Sequence, residues 1–445
     1  MLKLHTIGGY SEVGKNMTAL ESGDDVIVFD AGMYLPAVVG VQEREKIPTE
    51  KGMRALGALP DDLYLNKKNL SHKVRAIAVS HAHLDHVGAV QYIAPKYKAP
   101  VLGTPFTIEV LKSLLLDNRH QLNNKIISVN PNSSCKVRGK REYRVEFINM
   151  THSTIQSSIV AVHTPEGIVL YANDFKFDNS PILGDKPNYK RLKQLAKQGV
   201  KALVVDCLYA PDDRKTPSEK IARGLLEDVF FTTDNQNSGM IVTTFSSHIA
   251  RLKSITEFGL KLNRKVIFLG RSLNKYCMAA SRVGKAPFLR DVQLAPYRNQ
   301  VERLLRKINK NKKDYLVVCT GHQGEPGSIL DRISRGKLKY NLSSSDHIIF
   351  SSKTIPTPTN EANRSDLDKR LKKFHPRIFD NVHVSGHGGR EDIRDLIRLT
   401  NPEHVIPSHG DFSKTKAGFD LAVEMGYKKG YNAHLLDNGK ELKLK

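Results

Sequence analysis

His81-Ala82-His83-Leu84-Asp85-His86 places four metal-capable side chains within six residues. Packing does not explain such a run, because burying imidazoles and a carboxylate without partners is costly. Val74-Arg75-Ala76-Ile77-Ala78-Val79-Ser80 before it reads as a buried strand, and Val87-Gly88-Ala89-Val90-Gln91-Tyr92-Ile93 after it reads as a helix start. The run therefore occupies a strand-to-helix loop, where many α/β proteins put their chemistry. Four donors crowded into one loop cannot all reach one tetrahedral ion, but they can divide between two. A two-metal hydrolase centre needs roughly three protein ligands per ion, an acid shared between ions ~3.5–4 Å apart, and an open position for water. Suitable donors stand at other strand ends: His152, Asp174 and His409. Each alone reads as an ordinary polar residue; together with the opening run they read as a ligand set.

At 445 residues the chain can form two or three domains, and a hydrophobic fraction of 40% allows a sizeable core. No apolar run is long enough for a transmembrane helix. The N-terminal stretch Met1 to Gly9 alternates like a strand and lacks the pattern of a signal peptide, so a cytoplasmic protein is expected. Cys135, Cys207, Cys277 and Cys319 are widely spaced, which indicates neither a cysteine zinc site nor a disulfide scaffold. With 17 histidines, any metal must be held by imidazole and carboxylate. The formal net charge is +23, from 69 Lys and Arg against 46 Asp and Glu. The excess is spread along the chain, which points to a charged channel for a polyanion, chiefly nucleic acid, rather than a basic tail.

The first two hundred or so residues read mainly as strands and turns. Ser158 to His163 and Gly167 to Tyr171 flank Thr164-Pro165-Glu166 as a hairpin candidate. After Tyr209 the texture changes to strands alternating with amphipathic helices, the pattern of a parallel-sheet domain. Thr354-Ile355-Pro356-Thr357-Pro358-Thr359 reads as the crossing that closes it.

The opening run resembles the signature of the metallo-β-lactamase fold. Further stretches resemble its β-CASP nuclease branch, and most closely the ribonuclease J family of the short archaeal type. They are Gly8 to Met17, Phe29-Asp30-Ala31-Gly32-Met33, Asn173-Asp174-Phe175-Lys176-Phe177, Cys319 to Pro326, His383-Val384-Ser385-Gly386-His387 and Pro407-Ser408-His409-Gly410. The resemblance implies an α/β protein: a metallo-β-lactamase αββα sandwich with an inserted parallel-sheet β-CASP domain. Residues 1–208 and 359–445 would form the sandwich and residues 209–358 the insertion. It further implies two zinc ions, one held by His81, His83 and His152, the other by Asp85, His86 and His409, with Asp174 bridging and Asp30 orienting ligands from behind. A homodimer is expected from the resemblance alone.

The expected activity is hydrolysis of RNA phosphodiester bonds, most simply from a 5′-monophosphate end in the 5′-to-3′ direction, with internal cleavage if the channel is open. Two metal ions activate water and neutralise a phosphate oxygen. Asp85 is expected to serve catalysis as well as binding. His387 is the candidate general acid, with Asp206 holding its second ring nitrogen. Ser246-Ser247-His248 ends a strand and opens a helix, a natural anion site. Ser246, Ser247, His248, Arg271, His383, Ser385, Gly386 and His387 are therefore the expected RNA-binding residues.

Other readings account for less of the chain. Gly9 to Asn16 nearly matches a P-loop, but Asn16 replaces the hydroxyl residue and the next segment reads as strand. A small-molecule metallohydrolase would need neither the insertion nor the charge. A DNA-processing β-CASP nuclease would typically depart at the His409 motif, and a non-catalytic RNA-binding scaffold would have lost ligands; all seven stand here.

Overall fold

The computed structural model describes residues 1–38 and 49–444. Two sheets face one another. One has seven strands in the spatial order Lys440–Leu444, Leu2–Gly8, Met17–Ser22, Asp25–Phe29, Val74–Val79, Val101–Gly103 and Ile126–Ser128. The other has six, in the order His404–Ser408, Val200–Asp206, Gly167–Ala172, Ser158–Thr164, Glu142–Asn149 and Ser133–Arg138. Alternation along these strands sends Leu4, Ile27, Phe29 and Ala78 from one sheet into Phe147, Val160, Val169, Tyr171 and Val204 of the other. Phe29 and Tyr171 stack across the sandwich at 4.9 Å between ring centroids and 6° between planes. That contact lies one residue before Asp30 and three before Asp174, so it fixes two strand ends that carry site residues.

Helices cover both outer faces. Pro105–Asp117 buries Phe106, Val110 and Leu111 over the first sheet. Tyr189–Gln198, Arg390–Thr400 and Phe412–Glu424 bury Leu192, Leu195, Ile393, Leu396 and Phe419 over the second. The layers are αββα. The expected hairpin is present, with Val169 opposite Val162 across its antiparallel pair. The segment after Asn16 is the strand Met17–Ser22, not a helix, which removes the P-loop reading.

The third sheet is wholly parallel, in the order Val292–Ala295, Lys265–Leu269, Tyr315–Cys319, Met240–Thr243, His347–Phe350 and Arg377–Phe379. Its central strands are continuous apolar runs buried on both faces, as a parallel sheet covered by helices requires. The insertion extends past the expected boundary at 358. The helix Pro358–Lys372 buries Leu367 and Leu371 against this sheet, and Arg377–Phe379 pairs with His347–Phe350. Pro356 and Pro358 start a helix there rather than mark a crossing: Thr357 caps it by accepting from the Asn360 N–H, and Pro358 is its first residue.

Candidate metal centre

The Val74–Val79 strand lies between Asp25–Phe29 and Val101–Gly103, and its end delivers the opening run to one edge of the sandwich. His81 follows the strand, His83 caps the helix Leu84–Val87, and Asp85 and His86 lie within that helix. His152, Asp174 and His409 arrive from ends of the second sheet. Three overlapping groups of donors converge: His81, His83, His152 and Asp174; Asp85, His86, His409 and Asp174; and Asp174, Asp206, His387 and His409.

Asp174 belongs to all three and divides its oxygens between the first two. Its Oδ2 lies 3.2 Å from His81 Nε2, 3.4 Å from His152 Nε2 and 3.9 Å from His83 Nδ1. Its Oδ1 lies 3.2 Å from His86 Nε2 and 3.7 Å from His409 Nε2. Asp85 Oδ2 completes the second group, 3.7 Å from His86 Nε2 and 3.9 Å from His409 Nε2. Asp30, Asp174 and His409 all have φ between 57° and 58°, the left-handed region that non-glycine residues seldom occupy. Such strain persists where surrounding structure imposes it, and it clusters at functional sites.

The ring nitrogens facing away from the cluster are held. His86 Nδ1 lies 2.7 Å from Asp30 Oδ2, and Ser80 Oγ donates to the same oxygen at 2.9 Å while lying 3.0 Å from His81 Nδ1. His152 Nδ1 donates to the Gly386 carbonyl at 2.7 Å. His409 Nδ1 lies 2.9 Å from Asn16 Oδ1, and Asn16 Nδ2 donates to the Asp85 carbonyl at 3.1 Å. His83 Nε2 lies 3.0 Å from Ser247 Oγ, a contact made by the insertion. Partners of this kind fix tautomer and ring direction for metal-ligating histidines.

The donor set fits metal ions. Asp174 Oδ1 is buried with no well-aligned hydrogen bond among the described residues, and only the His86 and His409 rings face it, in a site where an under-satisfied carboxylate oxygen is costly. Burial lowers His152 well below the usual imidazole range, and burial together with His86 lowers His81 to about 4, so both rings present lone pairs. Burial would also discharge His86, yet Asp174, Asp85 and Asp30 outweigh it and hold a positive charge there. Burial opposes ionisation of Asp174, but His86 and His409 keep its carboxyl well below the usual range. A cation is therefore favoured between these carboxylates, and neutral imidazole with carboxylate is a donor set for zinc.

Part of the site reaches solvent. The side chains of Asp85, His83 and His387 are 19%, 19% and 16% exposed, while those of His81, His86 and His152 are fully buried. His387 lies in this part. Its Nδ1 lies 2.7 Å from Asp206 Oδ2, and its Nε2 is 3.8 Å from Asp174 Oδ2. Burial disfavours the imidazolium, but Asp174 and Asp206 together raise His387 to about 9.

A scan against family models matches residues 11–214 to the metallo-beta-lactamase superfamily, 237–367 to the ribonuclease J beta-CASP domain and 372–435 to the Zn-dependent metallo-hydrolase RNA specificity domain. Ribonuclease J of Methanocaldococcus jannaschii is 42% identical over 98% of this chain and 98% of its own length. The chain belongs to the ribonuclease J family. Ribonuclease J of Pyrococcus abyssi is also 42% identical, over 99% of this chain and 96% of its own. A solved structure from Enterococcus faecalis, of a protein of unknown function, shares the fold: its TM-score is 0.65 at 18% identity, with 99% of each chain covered.

The seven expected donors all fall within the first two convergent groups. The expected RNA-binding residues divide. Ser247 touches the ligand shell through His83, and Gly386 supports it through His152. Gly386 must be glycine, because a Cβ there would meet Ser153 Cβ and Oγ at 2.7 Å and its backbone N at 2.8 Å. Ser385 Oγ accepts from the His387 N–H at 2.9 Å, shaping the turn that presents that ring. His248 is 2% exposed: its Nδ1 accepts from the Arg251 N–H and its Nε2 faces Glu219 at 3.4 Å. It caps the helix Ile249–Lys261 from inside and offers no free edge to RNA, contrary to expectation. His383 lies 3.5 Å from Arg251 Nη1, half-buried on the same network. Ser246 is half-buried at the turn before that helix, and Arg271 is exposed at the start of Arg271–Arg282.

Asn16 and Ser80 are functional positions that sequence reasoning did not assign. Asn16 carried a signal, since it breaks the near P-loop where that motif needs a hydroxyl. Gly9 turns back at φ 89° against it, and a Cβ there would meet Asn16 Oδ1 at 2.3 Å.

Proposed function

We propose that the chain is a zinc-dependent ribonuclease that works 5′-to-3′ from 5′-monophosphate ends, with internal cleavage as a secondary activity. The observation that carries the reading is the buried Asp174 carboxylate shared between two donor groups, in a strongly basic chain. His81, His83, His152 and Asp174 would hold one zinc ion, and Asp85, His86, His409 and Asp174 the other. Bound there, such a pair supplies an activated water and neutralises the anionic phosphodiester.

The chain's own residues handle the rest. Asp206 accepts the His387 Nδ1–H, fixes the ring and, with Asp174, favours its imidazolium, so the second proton sits on Nε2, the atom directed toward the centre, and can pass to the leaving 3′-oxygen. Asp30 accepts from His86 Nδ1, and Asn16 lies against His409 Nδ1, so each ring is held in one direction. Ser246, Ser247 and Ser385 with Gly386 are proposed to hold the terminal phosphate, which would set the count from the 5′ end. Arg271, His383 and the dispersed basic charge are assigned to the flanking strand. A cytoplasmic homodimer belongs to the same reading, on family membership alone.

The test is product size from 5′-labelled, monophosphorylated RNA. Release of labelled mononucleotide from the first time point supports the exonuclease reading; labelled fragments of intermediate length with no mononucleotide would refute it. Parallel single-stranded DNA of the same sequence should be cleaved far more slowly.

A further inference from the structure

Arg251 has the largest side chain among those fully buried in the described residues. It lies on the helix that follows the Ser247 turn, and nothing in the catalytic scheme uses it. Its guanidinium makes a two-pronged pair with Glu219, Nε to Oε1 at 2.6 Å and Nη2 to Oε2 at 2.8 Å. Nη1 then donates to Ser351 Oγ at 2.8 Å, to the Ser351 carbonyl at 3.0 Å and to the Val382 carbonyl at 3.3 Å. So full a set of partners is what a buried guanidinium requires, but burying an ion pair contributes little net stability. Its value must lie elsewhere, and its contacts indicate where.

Both ends of the pair lead to His152. From Arg251, the Val382 carbonyl anchors the loop that runs on to Gly386, whose carbonyl accepts from His152 Nδ1. From Glu219, whose carboxylate is fixed by Arg251, the main-chain N–H donates to Asp178 Oδ2 at 2.7 Å, and the Asp178 main-chain N–H donates to Thr151 Oγ1 at 3.0 Å, next to His152 in the chain. The helix bearing Arg251 opens beside Ser247, which touches His83. No hydrogen-bonded route of this kind reaches Asp85, His86 or His409: their outer side-chain partners among the described residues are Asp30 and Asn16, and the same loop meets His409 only by ring stacking, with His387 at 5.5 Å between centroids.

We propose that Arg251, paired with Glu219, is a positioning residue that sets the His83–His152 half of the metal centre and thereby makes one of the two zinc sites depend on the docked insertion. The inference rests on the two-ion reading above. The experiment is a zinc titration of metal-free full-length protein against a chromophoric chelator, with cobalt(II) absorption as a second probe. The main variant is Arg251→Met with Glu219→Leu, which removes both charges and leaves neither unpaired. Arg251→Lys, which keeps the charge and loses the fork, covers the case in which the double variant does not fold.

One binding step should weaken by about tenfold or more, the usual effect of losing outer-shell support, with the other step unchanged. The cobalt band of the weakened step should shift, and the thermal midpoint should stay close to that of the unsubstituted chain. Two unchanged steps, or two steps weakened equally in a folded variant, would overturn the proposal. A single step in the unsubstituted protein would overturn the two-ion reading itself, and this inference with it.

Discussion

The two halves of the metal centre share Asp174 but are braced by different parts of the molecule. Asp85, His86 and His409 are held by Asp30 and Asn16, both from the first strands of the sandwich. His83 and His152 are held by Ser247 and Gly386, from the insertion and the loop that leads out of it. One group is thus braced from the sandwich layers, and the other takes one of its braces from the insertion. The lesson is that the insertion supplies part of the frame on which the candidate ligands stand.

Breaking the shared element should have the largest effect. Asp174→Ala removes the one side chain common to both halves, so RNA cleavage should fall by on the order of 10⁴-fold or more, as groups acting as a unit fail together. Retention of both ions by this variant, measured by elemental analysis, would refute the bridging role. His387→Ala should cost about 10²–10⁴-fold in kcat while leaving the metal content at the wild-type level, because it removes a proton donor and no ligand. Loss of metal from that variant would move His387 from chemistry into the ligand set.

Smaller changes separate the halves. Asn16→Ala and Ser247→Ala form a matched pair, each expected to weaken one binding step by about 10–100-fold. The steps should differ between the two variants; the same step weakening in both would erase the contrast. Phe29→Ala tests the sandwich side alone. It should destabilise the fold by about 3–5 kcal/mol, since Phe29 is fully buried against Tyr171. A thermal or denaturant midpoint close to wild type would contradict the view that this stack holds the strand ends.

The sandwich half was the more legible in sequence. His81 to His86 announces itself by density, and strand-end apolar runs point to Asp174 and His409. The Asp206–His387 pair was also readable, since a strand-end acid and a late histidine needed only to meet. The braces were less so. Gly386 acts through a backbone carbonyl, which no residue type reveals. Arg251 is one of 69 basic residues, and only its burial sets it apart. His248 misled because a serine-rich strand-to-helix turn resembles an anion site, whereas here the ring turns inward to Glu219. The insertion's far boundary was missed because Pro358 opens a helix as readily as it ends a domain.

Anomalous scattering from a zinc-loaded crystal tests the central claim most directly. Two peaks ~3.5–4 Å apart, one beside each Asp174 oxygen, are expected: one among His81, His83 and His152, the other among Asp85, His86 and His409. A single fully occupied peak, or two peaks both on one side of Asp174, would contradict the account.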